Sequence, residues 1–302
     1  MRVILVTGVG GPAGRAVVQL LHERNTGENP FSIVGADMKP VELPGLSSCA
    51  EVPPVSDSRF LPAMRELVAG VRADLIIPTV QDELAIVSAA RDVIVPASCD
   101  IVVSAPSPTY LSSDKLLTMY ALQDAGVSVP RFDVMSAFTS AEHALDLMQG
   151  PAVVKPRVSR GGRGVQVVEK AEDIEWDRTN GDLIVQQFAP GDEFCPQVYR
   201  SPSTGQTTVV VLQKTELKEG RVGNAVSTER LADGDAADIA GLAEQTVLAL
   251  DLVGPVDMDI RRLASGAPVV LEVNCRFGAN SARAPELVDL VLRDYFAQGS
   301  NR

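Results

Sequence analysis

The sequence lacks several residue patterns that mark common functional classes. It has four cysteines in 302 residues, and they are scattered with no Cys-x-x-Cys pair, so neither a zinc site nor a disulfide framework is indicated. It has two histidines, His22 and His143, and both lie within helix-like patterns. Histidine-based metal chemistry and a histidine-containing catalytic triad are therefore not expected.

Long apolar runs and an excess of positive charge are also missing. No run reaches the roughly 18 apolar residues of a membrane span, and the N-terminus begins with a strand pattern instead of a signal-peptide core. The chain has 27 Lys and Arg against 39 Asp and Glu, a formal net charge of −12. Non-specific binding to nucleic acid or anionic lipid depends on positive charge. We therefore expect a soluble, cytoplasmic protein with neither nucleic acid nor membrane as a partner.

The first third of the chain alternates strand and helix patterns. An apolar strand run at 3–7 is followed by a glycine-rich turn and a helix pattern at 15–24, and similar pairs continue to the strand run 101–104. Alternation of this kind predicts a parallel sheet covered by helices. Asp82 and Glu83 open one of these helices, where first-turn acids are favourable. A substrate contact at the carboxyl edge of the sheet is the alternative.

The glycine turn at 8–14, with Asp37 closing the second strand, is similar to a dinucleotide-binding fingerprint. A short-chain NAD-dependent oxidoreductase is therefore an alternative. Such enzymes pair a tyrosine and a lysine as Tyr-x-x-x-Lys, which none of the four tyrosines does here. The alternative is thus disfavoured, and a tight strand-to-helix turn explains the glycines equally well.

A basic glycine-rich loop stands between two later strand patterns. The run 153–155 ends in a lysine, the loop after it carries Arg157, Arg160 and Arg163 with three glycines, and a strand pattern follows at 165–168. Glycines let backbone N–H groups approach an anion closely, and cations suit phosphate oxygens. This is not a P-loop, because no Gly-Lys-Ser/Thr follows. On its own it also fits a flexible hairpin with solvated arginines.

Lys115 lies in the first turn of a predicted helix, where the helix dipole does not favour a cation. This indicates that the lysine serves an anion. The Pro/Ser-rich stretch 106–113 before the helix reads as a connector. We place the first domain boundary there, between a domain at 1–105 and a small lobe at 106–181 that carries the glycine loop.

Two strand patterns near the C-terminus bring acidic side chains together. The runs 256–261 and 269–276 flank a turn at Ser265-Gly266. If those two residues form the turn, opposite pairs on one sheet face are Asp259 with Glu272 and Asp257 with Asn274. Facing carboxylates repel each other, and a hard cation such as Mg²⁺ offsets the repulsion. The pattern predicts a metal site, with an exposed acidic face as the alternative. Cys275 alternates away from this face and is expected to be buried.

In order and spacing, these motifs resemble the ATP-grasp superfamily, in the branch related to the carbamoyl-phosphate synthase large subunit. The resemblance covers nearly the whole chain, including Asp114-Lys115, Lys155-Pro156 with the glycine loop, the turn 191–193 and the run 272–276. It implies an α/β N-terminal parallel-sheet (pre-ATP-grasp) domain at 1–105. A two-lobed α+β ATP-grasp domain would follow, with its small lobe at 106–181 and its large lobe at 182–302.

The resemblance also implies roles for individual residues. The lysines would contact phosphates, the strand end 186–188 would present backbone groups to adenine, and Glu193 would take the ribose hydroxyls. The nucleotide-binding set is Lys115, Lys155, Ser159, Gly161, Gly162, Gly164, Gln186, Gln187, Phe188 and Glu193. The metal ion, Mg²⁺ with Mn²⁺ as a second candidate, would be held by Asp259, Glu272 and Asn274, with Asp257 left open as the third ligand. Arg276, with Lys155, would stabilise the transferring phosphoryl group.

The implied reaction is ATP-dependent activation of a carboxylate as an acylphosphate, which an amine attacks to form an amide or peptide-like bond. The partners would be a small acid, such as an amino acid, and an amine. Arg283 and Lys214 are candidates to bind the acid, with Arg221 and Arg230 weaker ones. A kinase-like enzyme and a non-catalytic ATP-binding regulator stay open. A single ATP-grasp unit argues against carbamoyl-phosphate synthesis itself, and a homodimer is the assembly that small members commonly form.

Overall fold

The computed structural model describes residues 1–25, 30–159, 161–218, 223 and 225–296. Its N-terminal part is a five-stranded parallel sheet in the order β3-β2-β1-β4-β5. The strands are β1 (Arg2–Thr7), β2 (Phe31–Asp37), β3 (Leu46–Glu51), β4 (Leu75–Ile77) and β5 (Asp100–Ile101). The helices are α1 (Pro12–Arg24), α2 (Phe60–Val71), α3 (Gln81–Ala89) and α4 (Arg91–Ile94). The predicted parallel α/β fold is confirmed. The strand order reverses beside β1, so a crevice opens at the carboxyl ends of β1 and β4.

Both faces of this sheet are covered, which explains the unbroken apolar run in β1. Ile4 and Val6 pack into one core and Leu5 into another, because successive side chains of a strand point to opposite faces. The first of these cores also contains Leu287 and Val291 from the C-terminal part of the chain. The N-terminal sheet is thereby fixed against the rest of the protein.

Two helices lead out of the N-terminal part: α5 (Pro106–Ser113) and α6 (Lys115–Asp124). The stretch read as a connector is thus a helix, which begins with Pro106 in its first turn. Proline is tolerated there, since the first N–H groups of a helix have no intrahelical acceptor.

A four-stranded antiparallel sheet follows, in the order β6-β9-β7-β8. It consists of β6 (Phe132–Val134), β7 (Ala152–Pro156), β8 (Gln166–Val168) and β9 (Leu183–Gln187), with α7 (Ala141–Met148) packed on it. The sequence analysis assigned 183–187 to the large lobe. The structure instead pairs β9 with β6 and β7. Val185 fills the core of this sheet while Ile184 faces the large lobe's core, so β9 forms the wall between the lobes.

The large lobe is a seven-stranded sheet in the order β12-β11-β15-β10-β13-β14, with β16 paired to β15. Its strands are β10 (Glu193–Phe194), β11 (Gln197–Arg200), β12 (Thr207–Val210), β13 (Leu212–Leu217), β14 (Ala225–Arg230), β15 (Gly254–Arg262) and β16 (Pro268–Asn274), and its helices are α8 (Ala237–Ala249) and α9 (Glu286–Phe296). The predicted α+β architecture is confirmed. None of the helices in the described ranges is long and apolar enough to cross a bilayer.

Candidate active site

Strands β15 and β16 pair in the predicted register. Asp259 lies opposite Glu272, and Asp257 opposite Asn274. The turn differs from the prediction, because the Leu263–Ala267 backbone bond encloses three residues, 264–266. A bulge between these pairs and the next adds one residue to β16. The added strand residue compensates for the added turn residue, so the four polar side chains meet as expected.

The bulge also supplies an acceptor to the site. Leu271 is the extra residue, and its carbonyl accepts a hydrogen bond from Lys155 Nζ at 3.1 Å. Lys155, at the end of β7, is buried. Burial lowers the pKa of its ammonium to about 8, although Glu272 nearby opposes the shift. A desolvated ammonium bonded to a neutral carbonyl is well suited to an incoming anion.

Lys115 approaches the same carboxylate from α6. Its Nζ lies 3.4 Å from Glu272 Oε1 and donates to the Ser159 carbonyl at 2.9 Å. A small cavity lies between these groups, lined by Lys115, Ser159, Glu272 and Asn274 and, from the start of helix α3, by Gln81. The two lysines and the carboxylate-bearing strand are thus brought together from three separate parts of the chain.

The glycine loop has the backbone that its sequence requires. Gly161, Gly162 and Gly164 have φ of +64°, +73° and +72°, a region that side chains other than glycine rarely adopt. The loop arginines differ in their surroundings. The Arg157 guanidinium binds Asp114 with Nη2–Oδ2 at 2.6 Å, so its contact with phosphate stays a prediction. Arg163 is exposed, and Arg160 lies outside the described residues.

At the strand end 186–188, which is predicted to contact adenine, some polar groups are hydrogen-bonded and one has no partner among the described residues. The backbone N–H groups of Gln187 and Phe188 already donate to Arg131 and Pro151 carbonyls, at 2.8 and 3.0 Å. The side chain of Gln186 is 2% exposed, and its Nε2 has no hydrogen-bond partner among the described residues. A buried amide donor of this kind is costly unless a ligand satisfies it.

Glu193 and Lys214 form the most buried ion pair of the site. Lys214 Nζ lies 2.6 Å from Glu193 Oε1 and 2.8 Å from Asp259 Oδ1. Burial opposes the charge, but the two carboxylates outweigh it and raise the pKa of Lys214. Arg261 lies 3.6 Å from Glu193 and stacks on the Phe188 ring. Lys214 therefore joins the predicted ribose and metal residues instead of standing apart as a substrate ligand.

Asp257 and Asp259 are the two candidates for the third metal ligand, and their contacts differ. Asp257 accepts from Gln197 Nε2 at 2.5 Å and Arg276 Nη1 at 3.0 Å. A Cβ at Gly278 would lie 2.4 Å from its Cγ, so glycine lets the chain close over the carboxylate. Ser281 in turn donates to Gln197 Oε1 at 2.9 Å. Asp257 is thus the anchor of Arg276, whereas Asp259 faces Glu272.

The remaining oxygen groups fit Mg²⁺ bound together with a nucleotide. Asn274 is 8% exposed, and none of its side-chain atoms hydrogen-bonds to a described residue. Among the residues that the structure describes, no three His, Cys, Asp or Glu side chains are grouped so that they could hold a metal ion by themselves. Mg²⁺ commonly uses one or two carboxylates and completes its shell with water and substrate phosphate. Glu272, Asn274 and Asp259 offer such an incomplete set.

Two other predicted substrate cations, Arg283 and Arg230, lie on the surface. Arg283 is exposed, in the short turn Ser281–Arg283. Arg230 pairs with Glu286 at 2.6 Å, and Arg221 lies outside the described residues. Neither Arg283 nor Arg230 lines the cavity beside Lys115. Cys275 is buried, as expected, against the Ser112 hydroxyl at 3.1 Å.

Sequence reasoning missed three contributors to the site: Gln81, the Asp114–Arg157 pair, and the Gln197–Ser281 support of Asp257. A polar residue just before a helix signals a cap, which could have marked Asp114. The others come together through long-range contacts that no local pattern encodes. Asp37, which the dinucleotide alternative would assign to a ribose, instead accepts the Gly10 N–H at 2.8 Å.

A family model described as an ATP-grasp domain matches residues 112–280. The chain belongs to the ATP-grasp family. A formate-dependent phosphoribosylglycinamide formyltransferase of Corynebacterium efficiens is 30% identical over 151 residues, which are 46% of this chain and 36% of that protein. The match therefore spans little more than a third of that relative's length.

Two solved structures share the fold over nearly the whole chain. The L-amino acid ligase from Bacillus licheniformis has a TM-score of 0.71 at 16% identity, covering 98% of this chain and 74% of that one. The biotin carboxylase domain dimer of Hydrogenobacter thermophilus 2-oxoglutarate carboxylase, solved with MgADP and bicarbonate, has a TM-score of 0.71 at 12% identity, covering 97% and 69%. The predicted superfamily and two-part fold are confirmed.

Proposed function

We propose that this ATP-grasp protein is an ATP-dependent carboxylate–amine ligase, which activates an acid as an acylphosphate and joins it to an amine. The observation that carries the proposal is the convergence of Lys115 and Lys155 on Glu272, opposite Asp259, at the base of a glycine loop. Cations beside an oxygen-donor pair suit a polyphosphate with a divalent ion.

In this mechanism the protein positions groups and stabilises charge. Lys115 and Lys155 bind phosphate oxygens, and the loop at 159–164 covers them. Mg²⁺, when bound by Glu272, Asn274 and Asp259, neutralises charge on the phosphates; Mn²⁺ is a second candidate. Arg276, held by Asp257 at 3.0 Å, stabilises the phosphoryl group as it moves to the carboxylate. Closure of the loop excludes water, which would otherwise hydrolyse the acylphosphate.

The nucleotide base would lie against β9 and β10. In this proposal Gln186 Nε2, which has no hydrogen-bond partner among the described residues, donates to adenine. Glu193 binds the ribose hydroxyls once Lys214 shifts to another partner. The C-terminal arginines stay weaker proposals for the acid: Arg283 is exposed, and Arg230 is paired.

We further propose an amino acid as one substrate, because a structural neighbour is an L-amino acid ligase. A homodimer is the proposed assembly, with the biotin carboxylase domain dimer as its support. The alternatives are a kinase-like enzyme that phosphorylates an acid, and a regulator that binds ATP without turnover.

The test is ADP release from MgATP across a panel of amino acids, singly and in pairs. Turnover with an acid–amine pair, lost in Glu272→Gln, is the expected result. ADP release with one acid alone would favour the kinase-like alternative. Binding of ATP without ADP release under any condition would favour the regulator.

A further inference from the structure

One ion pair is formed by two residues that neighbour the lysines of the site in the chain. The Arg157 guanidinium binds the Asp114 carboxylate with Nη2–Oδ2 at 2.6 Å and Nε 3.1 and 3.2 Å from the two oxygens. This is a fork contact, which a lysine ammonium cannot reproduce. Arg157 follows Lys155 by two residues, and Asp114 directly precedes Lys115. The pair therefore links the two chain segments that carry the lysines.

The same residues also fix the backbone around them. The backbone N–H of Lys115 donates to the Arg157 carbonyl at 2.9 Å, and the backbone N–H of Arg157 donates to the Asp182 carbonyl at 2.9 Å. Arg157 Nη1 donates to the Gly181 carbonyl at 3.1 Å. The start of α6, the end of β7 and the turn before β9 thus meet at one side chain. The Asp114 side chain is 9% exposed and that of Arg157 29%, so solvent screens the contact only in part.

The ion pair opposes an electrostatic repulsion between the two lysines. Lys115 and Lys155 are both cations facing one carboxylate, and the charge of Lys115 contributes to the lowered pKa of Lys155. Without a nucleotide, the two like charges repel each other. The Asp114–Arg157 ion pair holds the two segments together against this repulsion, and it uses neither lysine side chain.

We propose that Arg157 is a positioning residue for nucleotide binding. Its contact with Asp114 holds Lys115 and Lys155 at a spacing at which both reach one phosphate chain. The proposal rests on the ATP-binding part of the proposed function, and it does not depend on which acid or amine is used.

The experiment is a calorimetric titration of MgATP into the full chain and its variants. Arg157→Ala removes the pair. Asp114→Asn also removes it, but keeps an oxygen that can cap α6 by accepting the Leu116 N–H, now at 2.9 Å. We expect each variant to raise the Kd for MgATP about tenfold, as loss of an orienting partner commonly does. The double variant should bind no more weakly than either single one, because both remove the same contact.

Three controls separate positioning from general damage. Arg59→Ala removes a similar arginine–aspartate fork, with Asp57 at 2.6 Å, on the surface of the N-terminal part, and should leave the Kd unchanged. Arg157→Lys should resemble Arg157→Ala, because a lysine lacks the fork. Millimolar guanidinium added to Arg157→Ala should restore part of the affinity, which it would not do for a destabilised fold.

Three results would overturn the proposal. The first is an Arg157→Ala variant that binds MgATP within twofold of the wild type. The second is a pair of single-variant losses that multiply in the double variant. The third is a loss that guanidinium does not restore and that parallels a lowered melting temperature. A wild-type chain that itself fails to bind MgATP would instead contradict the proposed function.

Discussion

Two glycine-rich turns in this protein look alike in sequence and differ in what their polar groups do. In the turn after β1, the Gly10 N–H is bonded to Asp37, and Gly14 packs against the Gly8 carbonyl. Nearby, the buried carboxylate of Glu83 accepts from Thr7 and Val80. These groups bind one another, so this turn stabilises the strand-to-helix junction.

The loop after β7 has the opposite character. Its glycines adopt left-handed conformations, as Gly8 does in the first turn, but the groups beside the loop keep capacity for a ligand. These groups are a desolvated Lys155 and the Asn274 amide, which has no hydrogen-bond partner among the described residues. Function is therefore indicated by buried polar groups whose partners are missing or weak, more than by glycine itself.

Replacing Lys155 by methionine should weaken MgATP binding and stabilise the free protein. We expect MgATP affinity to fall by about 100-fold, since a buried cation facing an anion is lost. The melting temperature of the free protein at pH 7 should rise, because a desolvated charge is removed. Calorimetry and thermal unfolding measure the two effects, with the exposed Lys39→Met as control. A variant that binds ATP normally would contradict the assigned site.

Replacing Asp257 by asparagine should reduce turnover and leave nucleotide binding nearly intact. Arg276 would lose its charged anchor while the shape of the side chain is kept. We expect kcat for ADP release to fall by about 10- to 100-fold. The measurement compares kcat with the Kd for MgATP, using the acid–amine pair that the wild type accepts. Equal losses in both would show that Asp257 acts on the nucleotide, as a metal ligand would.

MgATP affinity should fall as pH rises through about 8, the pKa of Lys155 in the free protein. The nucleotide favours the ammonium, so binding weakens by at most about tenfold per pH unit once the proton is lost. Because the folded pKa lies below the value of 10.5 in an unfolded chain, the free protein should gain stability from this group between about pH 8 and 10.5. In Lys155→Arg, the decline in affinity near pH 8 should disappear. A wild-type affinity independent of pH would contradict the assignment.

Asp37→Ala should have the smallest effect and tests the other turn. The Gly10 N–H would lose its partner, so the free energy of unfolding should fall by about 1 kcal/mol. The Kd for MgATP should stay unchanged, because Asp37 lies outside the candidate site. Urea unfolding and calorimetry provide the two values. A weakened nucleotide affinity would mean that the first turn takes part in binding.

The sequence by itself determined the parallel α/β start, the antiparallel C-terminal sheet and the pairing of Asp259 with Glu272. These follow from short-range periodicity and from alternation along strands, which depend on neighbouring residues alone. The pairing of Asp259 with Glu272 was predicted from a two-residue turn, although the turn in the structure has three residues. The result held because the β16 bulge shifts the register back, a compensation that local patterns do not show.

Only the tertiary structure decided which charged groups are available to a ligand. Lys155, Arg157 and Lys214 are all cations near the site, yet Arg157 is bound to Asp114 and Lys214 lies between two carboxylates. Asp114 is 43 positions from Arg157 in the chain, and Glu193 is 21 positions from Lys214. Burial and pairing arise only when distant segments pack together, and they decide whether a charge supports the fold or remains available to a ligand.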